Sequence, residues 1–126
     1  MRKIGFIGCG HMAQALIKGL KSNKSYELLG HDRNSKNIAW LKQEKIASYS
    51  LKEICHEADI LMICVKPKDM YDLCSEMKVY IGKELKIVSV AAGITLENLK
   101  DALTEGKLYR AMPNIGAKHN LGITSI

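Results

Sequence analysis

No stretch of this sequence stays apolar for long enough to cross a membrane. The longest run, Ile60 to Val65, falls far short of the ~20 residues that a spanning helix needs, so no membrane partner is expected. Met1-Arg2-Lys3 supplies the charged start of a secretory leader, but Gly5, Gly8 and Gly10 interrupt the apolar stretch after it, and no leader core forms. Paired cysteine motifs are missing too. Cys9, Cys55, Cys64 and Cys74 make no CxxC and match no zinc spacing, so no metal site is expected. Four free thiols in a compact chain fit a reducing compartment, and the cytoplasm is the expected location. Internal repeats, low-complexity tracts and Pro/Gly/Ser linkers are also absent, so the 126 residues read as one domain that buries roughly two thirds of its unfolded surface.

Runs of like charge are lacking as well. Nineteen basic residues against 13 acidic ones give a net charge of +6, but the lysines scatter from Lys3 to Lys118 and aromatics make up only 6% of the chain. Nucleic-acid readers concentrate basic residues in a stripe and interleave aromatics, so nucleic acid is not an expected partner. The excess reads as generic solubilising lysine or, alternatively, as attraction for a small anionic ligand such as a dinucleotide.

What the sequence does contain is alternation. Lys3 to Ile7 predicts a strand that stops at Gly8, and Ala13, Leu16, Ile17 and Leu20 predict a helix from about Met12 to Leu20. Strand Tyr26–Gly30, helix Ser35–Glu44 and a brief strand Ala47–Tyr49 come next. Ser50 and Glu53 form a capping box that opens a short helix. Ile60 to Val65 predicts a strand buried on both faces, punctuated by Pro67 and succeeded by a helix from Asp69 to Tyr80. Strand Lys86–Val90 precedes a helix capped by Thr95, running through Leu103 and ended by Gly106. Strand Leu108–Ala111 leads into a Met112-Pro113-Asn114 loop, and Leu121 to Ile126 starts another strand inside which the sequence stops, as a fragment would. Strands and helices alternating through short connections predict an α/β domain: a doubly wound, mostly parallel sheet of the Rossmann type.

Gly8-Cys9-Gly10-His11-Met12-Ala13 is a G-x-G-x-x-A fingerprint between the first strand and the first helix. Gly8 permits the tight turn, Gly10 lets backbone approach a pyrophosphate, and Ala13 lets the helix pack closely on the strand. The helix N-terminus then offers free N–H groups to the phosphates. The second strand ends at His31-Asp32-Arg33-Asn34. Asp32 stands about 20 residues after Gly10, where a carboxylate holds a ribose 2′-hydroxyl in an NAD site. Arg33 beside it suits the 2′-phosphate of NADP. A mobile Asp32 that turns outward and an Arg33 with few better partners tip the balance slightly to NADPH over NADH. Pro67 forces Lys66 into an extended conformation that aims it across the crevice, and Ala91-Ala92-Gly93 presents backbone to a flat ring. His31, His56 and His119 have no ligand grouping around them, no base is placed by spacing to activate a cysteine, and Met62, Met70, Leu73 and Met77 read as core.

Together, Ile4-Gly5-Phe6-Ile7-Gly8-Cys9-Gly10-His11-Met12, Cys64-Val65-Lys66-Pro67, Ser89-Val90-Ala91-Ala92-Gly93-Ile94 and Arg110-Ala111-Met112-Pro113-Asn114 closely resemble the pyrroline-5-carboxylate reductases, over essentially the whole chain. The resemblance implies NAD(P)H-dependent reduction of a small cyclic imine, 1-pyrroline-5-carboxylate, to L-proline, the last step of proline biosynthesis. It implies that Ile7, Gly8, Cys9, Gly10, His11 and Met12 hold the pyrophosphate, and Asp32, Arg33 and Asn34 the adenosine end. Val65, Lys66 and Pro67 then line the nicotinamide side, Ala92 and Gly93 pass beneath it, and Met112, Pro113 and Asn114 approach the substrate mouth. It names no catalytic residue in this chain. It further implies a helical C-terminal domain, outside these residues, that builds the homo-oligomer and supplies most substrate contacts. This chain is then the coenzyme-binding part, with little or no turnover alone. The sequence departs from the family at His11, usually Asn or Gln, at Cys64, usually small, at Leu51, where an asparagine touches the adenosine, and at Ile115-Gly116, usually Thr-Pro. A reductase for another imine or a 2-hydroxy acid, and a non-catalytic nucleotide-binding regulator, remain as alternatives.

Overall fold

In the computed structural model, residues 2–91, 93–114 and 120–125 are described, those from 112 onward by backbone alone. Strand β1 (Arg2–Ile7) leads through the glycine turn to α1 (His11–Leu20), then β2 (Tyr26–His31), α2 (Ser35–Gln43), β3 (Ala47–Ser48) and α3 (Leu51–Glu57). The chain continues through β4 (Ile60–Ile63), α4 (Pro67–Met77), a 3₁₀ turn over Lys78–Tyr80, β5 (Lys86–Ser89), α5 (Leu96–Leu103), β6 (Lys107–Asn114) and β7 (Asn120–Ser125). Among the described residues these strands form one sheet in the order β3-β2-β1-β4-β5-β6-β7. Every neighbouring pair from β3 to β6 is parallel, and β7 alone runs antiparallel, against β6. The expected doubly wound, mostly parallel sheet is therefore what forms.

Side-chain alternation along the strands divides the core. Ile4 and Phe6 of β1, Met62 of β4 and Val88 of β5 face α1 and α2, where they meet Ala13, Leu16, Ile17 and Leu41. Ile7, Leu61, Ile63 and Ile87 face the opposite layer, built by Ile54 and Cys55 of α3, Met70, Cys74 and Met77 of α4, and Leu99 and Leu103 of α5. Met62, Met70, Leu73 and Met77 are buried, as their spacing predicts. Gly30 makes the approach of α2 possible: a Cβ there would lie 2.5 Å from Leu41 Cδ1.

Helix starts obey their caps. Asn34 accepts from the N–H groups of Lys36 and Asn37 at α2, and Thr95 accepts from Asn98 N at α5. Ser50 and Glu53 complete both bonds of the expected capping box at α3. Leu51 opens that helix and packs against the core.

Several boundaries differ from the sequence-based expectation, among them the end of the helix after β4, where Lys78–Tyr80 is a 3₁₀ turn. β4 ends at Ile63, not Val65: Cys64 still donates its N–H to Ile7 O of β1, but the chain bends at Val65 toward the next helix. That helix starts at Pro67, two residues earlier than expected, with Lys66 extended (ψ 149) as its N-cap. A proline at the first helical position loses no hydrogen bond and is pre-set for the turn. After α5 it is Thr104 (φ 64), before Gly106 (φ 97), that leaves the helix. Met112-Pro113-Asn114 is not a loop: all three continue β6 and pair with Gly122, Leu121 and Asn120 of β7. β5 pairs with β6 only as far as Arg110, so Pro113 sits where a single neighbour remains and its missing N–H is tolerated.

Candidate functional site: a crevice at the topological switch point

β1 is succeeded in sequence by β2 on one side and bordered by β4 on the other, so the strand order reverses between β1 and β4. Open α/β sheets bind ligands outside the carboxyl ends of the strands at such a point. A cavity of about 820 Å³ lies there, within the range of small-molecule sites. Four segments wall it: the glycine turn and first turn of α1, the β2–α2 loop, the β4–α4 connection, and Val90-Ala91 beyond β5.

Gly8 makes the turn at φ +86, and a Cβ there would press 2.9 Å from Val65 Cγ1 and 3.0 Å from Val65 N. No other residue fits that conformation and that approach together. The turn is pinned by Gly8 N–H donating to His31 O (2.9 Å) and Cys64 N–H donating to Ile7 O (2.8 Å), which bind it to β2 and to the end of β4. At Gly10 a Cβ would meet nothing within 4 Å; the residue borders open cavity. α1 begins after Gly10 with no side-chain cap and no acidic residue in its first turn. Its terminal N–H groups and partial positive charge are therefore left for an anion. Gln14 braces the loop from behind, its Nε2 donating to Cys9 O at 2.9 Å.

Asp32 is the centre of the hydrogen-bond network. Cys9 N–H donates to its Oδ2 at 2.6 Å, the Asn37 side-chain amide donates to the same oxygen at 2.9 Å, and Asn34 N–H donates to Oδ1 at 2.8 Å. Partial burial pushes this carboxyl up, but the N–H groups of Asn34 and Cys9, the Asn37 amide and Arg33 N–H outweigh it and hold it below the usual carboxylate range. Asp32 is thus a fixed brace for the glycine turn, not a mobile side chain. Arg33 has a partner as well: its guanidinium pairs with Glu76 of α4. Both premises that favoured NADPH from sequence are corrected by these contacts.

Ile7, Gly8, Gly10, His11, Met12, Asp32, Arg33, Asn34, Val65, Lys66 and Pro67 all line the cavity. Cys9 does not: its side chain is buried in the core on the α1 side, and only its backbone serves the loop. Burial, then the Asp32 charge, push its thiol up to about 12, and burial raises Cys55 and Cys74 to about 11. None of these three is a ready nucleophile at neutral pH. Gly93 (φ +81) lies beyond the lining residues. Ala92 falls outside the described residues, as do the side chains of Met112, Pro113 and Asn114. Sequence reasoning missed Asn37, one helical turn beyond Asn34, and the acidic side of α4, where Asp69 and Asp72 line the cavity.

A crevice at the switch point of a sheet ordered this way, with a glycine turn and an uncapped helix N-terminus opening into it, defines a Rossmann-type dinucleotide-binding fold. The chain belongs to the family described as NADP oxidoreductase, coenzyme F420-dependent, which matches residues 3–93. The resemblance read from the motifs also holds along the whole chain. It is 37% identical to pyrroline-5-carboxylate reductase of Escherichia coli K12 over 131 aligned positions, covering 99% of this chain and 49% of that protein. Among solved structures it is similar to 1-pyrroline-5-carboxylate reductase of Streptococcus pyogenes (28% identity, TM-score 0.80, 98% of this chain and 48% of that one). The fold also matches pyrroline carboxylate reductase of Plasmodium falciparum, solved with NADP bound (22% identity, TM-score 0.84, 99% and 48%). The chain spans about half the length of the curated relatives it matches.

Proposed function

We propose that this chain is the coenzyme-binding part of a pyrroline-5-carboxylate reductase, a cytoplasmic enzyme that reduces 1-pyrroline-5-carboxylate to L-proline with NAD(P)H. The observation that carries the reading is convergence. Three of the four blocks that resemble the family, far apart in sequence, reach one cavity at the switch point: the glycine turn, Val65-Lys66-Pro67 and the end of β5.

When bound, the nicotinamide supplies the hydride from its C4 to the C=N carbon of the imine. Such chemistry asks the protein for orientation and a fitting electrostatic environment. The N–H groups after Gly10 would hold the pyrophosphate, with Asp32 keeping the turn in shape. Arg33 and Asn34 would meet the adenosine end, Val65, Lys66 and Pro67 the nicotinamide side, with Ala92 and Gly93 beneath it. Met112, Pro113 and Asn114 would lead toward the imine. Of the two coenzymes we favour NADPH. The three donors that Asp32 accepts leave it little capacity for a ribose diol, whereas Arg33 is exposed and its ion pair is of the weakly held surface kind, so the guanidinium is exchangeable toward a 2′-phosphate.

The test is a titration of the 126-residue chain with NADPH and NADH at one fixed salt concentration, monitored by nicotinamide fluorescence. Saturable binding is expected, tighter for NADPH, and lost in Gly8→Ala. Failure of both coenzymes to bind at millimolar concentration would refute the assignment. Appreciable proline formation by this chain alone would refute the narrower claim that it only binds coenzyme.

A further inference from the structure

Arg33 leaves the β2–α2 loop on one wall of the cavity and reaches Glu76 on α4, the helix that forms the opposite wall. Glu76 does not stand alone. Asp69, Asp72 and Glu76 are spaced by three and four residues, which places them on one face of the helix, and Asp69 and Asp72 line the cavity itself. Arg33 therefore faces an acidic stripe, with Glu76 as its direct partner and Asp72 and Asp69 adding to the field that favours its charged form. The pair lies at the solvent side, with side-chain exposures of 74% for Arg33 and 47% for Glu76.

We propose that Glu76 sets the preference between the two coenzymes by competing, as a resident anion, for Arg33. The inference rests on the assignment of the cavity to a nicotinamide dinucleotide. The two coenzymes differ by one phosphate on the adenosine ribose. A guanidinium carries five N–H donors, and Glu76 takes the Nη2 corner of it, so a 2′-phosphate arriving at the same exposed group has to share its charge and donors with a carboxylate. Binding the 2′-phosphate thus weakens or displaces the contact between Arg33 and Glu76 and brings a group of nearly two negative charges close to the Glu76 carboxylate and Asp72. Binding NADH asks for no such exchange, since its ribose carries an uncharged diol. Glu76 consequently lowers affinity for one coenzyme and leaves the other nearly untouched, which makes it a residue that tunes selectivity without contributing a contact to either.

The experiment compares the wild-type chain with Glu76→Gln, Glu76→Lys, Arg33→Ala and the Arg33→Ala/Glu76→Gln double variant, each titrated with NADPH and with NADH at the same low salt. Both positions are exposed, so the variants retain the fold. Glu76→Gln is expected to raise the ratio of NADPH to NADH affinity about three-fold, the range in which exposed ion pairs act. Glu76→Lys, which replaces the competitor by a second cation, should extend the gain to about ten-fold. The Glu76→Gln gain should shrink markedly in the Arg33→Ala background, because most of it works through the guanidinium and only the direct repulsion of the phosphate is left. An equal change for both coenzymes, no change in the ratio, or the same gain without Arg33 would overturn the proposal. Absence of binding of either coenzyme to the wild-type chain would instead overturn the coenzyme assignment, and this inference with it.

Discussion

Asp32 ties three segments together through one carboxylate: the glycine turn through Cys9 N–H, the start of α2 through Asn34 N–H, and the first turn of α2 through Asn37. Removing it leaves those donors without an acceptor at a half-exposed site. Asp32→Ala should therefore cost about 1–2 kcal/mol of stability at pH 7 and weaken NADPH and NADH alike. The pH dependence has a definite sign. Because the folded carboxyl is held below its usual value, its contribution is complete above the unfolded pKa of about 3.9 and disappears as the pH falls through the folded value. Urea unfolding of wild type and variant should converge as the solution is acidified through that window. A gap of constant size all the way through the acid range would show that the residue acts by packing, not by charge. The position of Asp32 was legible from its distance to Gly10. Its role was not, because the donors it serves are brought together only when α2 turns Asn37 back toward the loop. Glu76 was invisible for a stronger reason: nothing local in sequence relates it to Arg33, and only the folding of α4 over the crevice makes them partners.

Among the elements, helix starts were the most legible and strand ends the least. A cap depends on residues within one turn of each other, which is why Ser50 with Glu53, and Thr95, could be read directly and are found as expected. The Ser50 box anchors α3, whose Ile54 and Cys55 are buried in the larger part of the core. Ser50→Ala should cost about 1 kcal/mol, visible as a lower denaturant midpoint with an unchanged slope; a cost below the error of the measurement would mean that packing of α3 alone holds the helix start. Pro67 shows the limit of local reading. The same residue that forbids a helix before it is well placed to begin one, and which use prevails depends on where the β4 chain leaves the sheet. The end of β6 is a further case. Met112-Pro113-Asn114 carries turn-like residues, yet it stays extended because β7 folds back along it, a pairing that no pattern within β6 announces.

At the scale of the whole molecule, alternation of strands and helices was enough to read the fold class, since parallel neighbours need a crossover element between them. Strand order was not legible: the glycine fingerprint marks one βαβ unit, and the place where the order reverses is seen only in the folded sheet. Register and the closeness of the two walls were not legible either, because they depend on how tightly α1, α2 and α4 settle on the sheet. Those walls are joined mainly through the sheet floor and, at the rim, by the exposed pair of Arg33 and Glu76. A dinucleotide laid across the strand ends would touch the β1, β2, β4 and β5 segments at once and so would resist their separation. Whatever binds only the folded state stabilises it by mass action, by about 2.7 kcal/mol at one hundred times its Kd. For a domain of this size that corresponds to a rise of roughly 10 °C in Tm. Calorimetric scans at rising NADPH should show Tm climbing with the logarithm of coenzyme concentration, and Gly8→Ala should show no climb, since its distorted turn no longer presents the N–H groups of α1. A Tm independent of coenzyme in the wild-type chain, at concentrations where fluorescence reports saturation, would mean that the fluorescence comes from a site shared with the unfolded chain and that the crevice is not where the coenzyme lies.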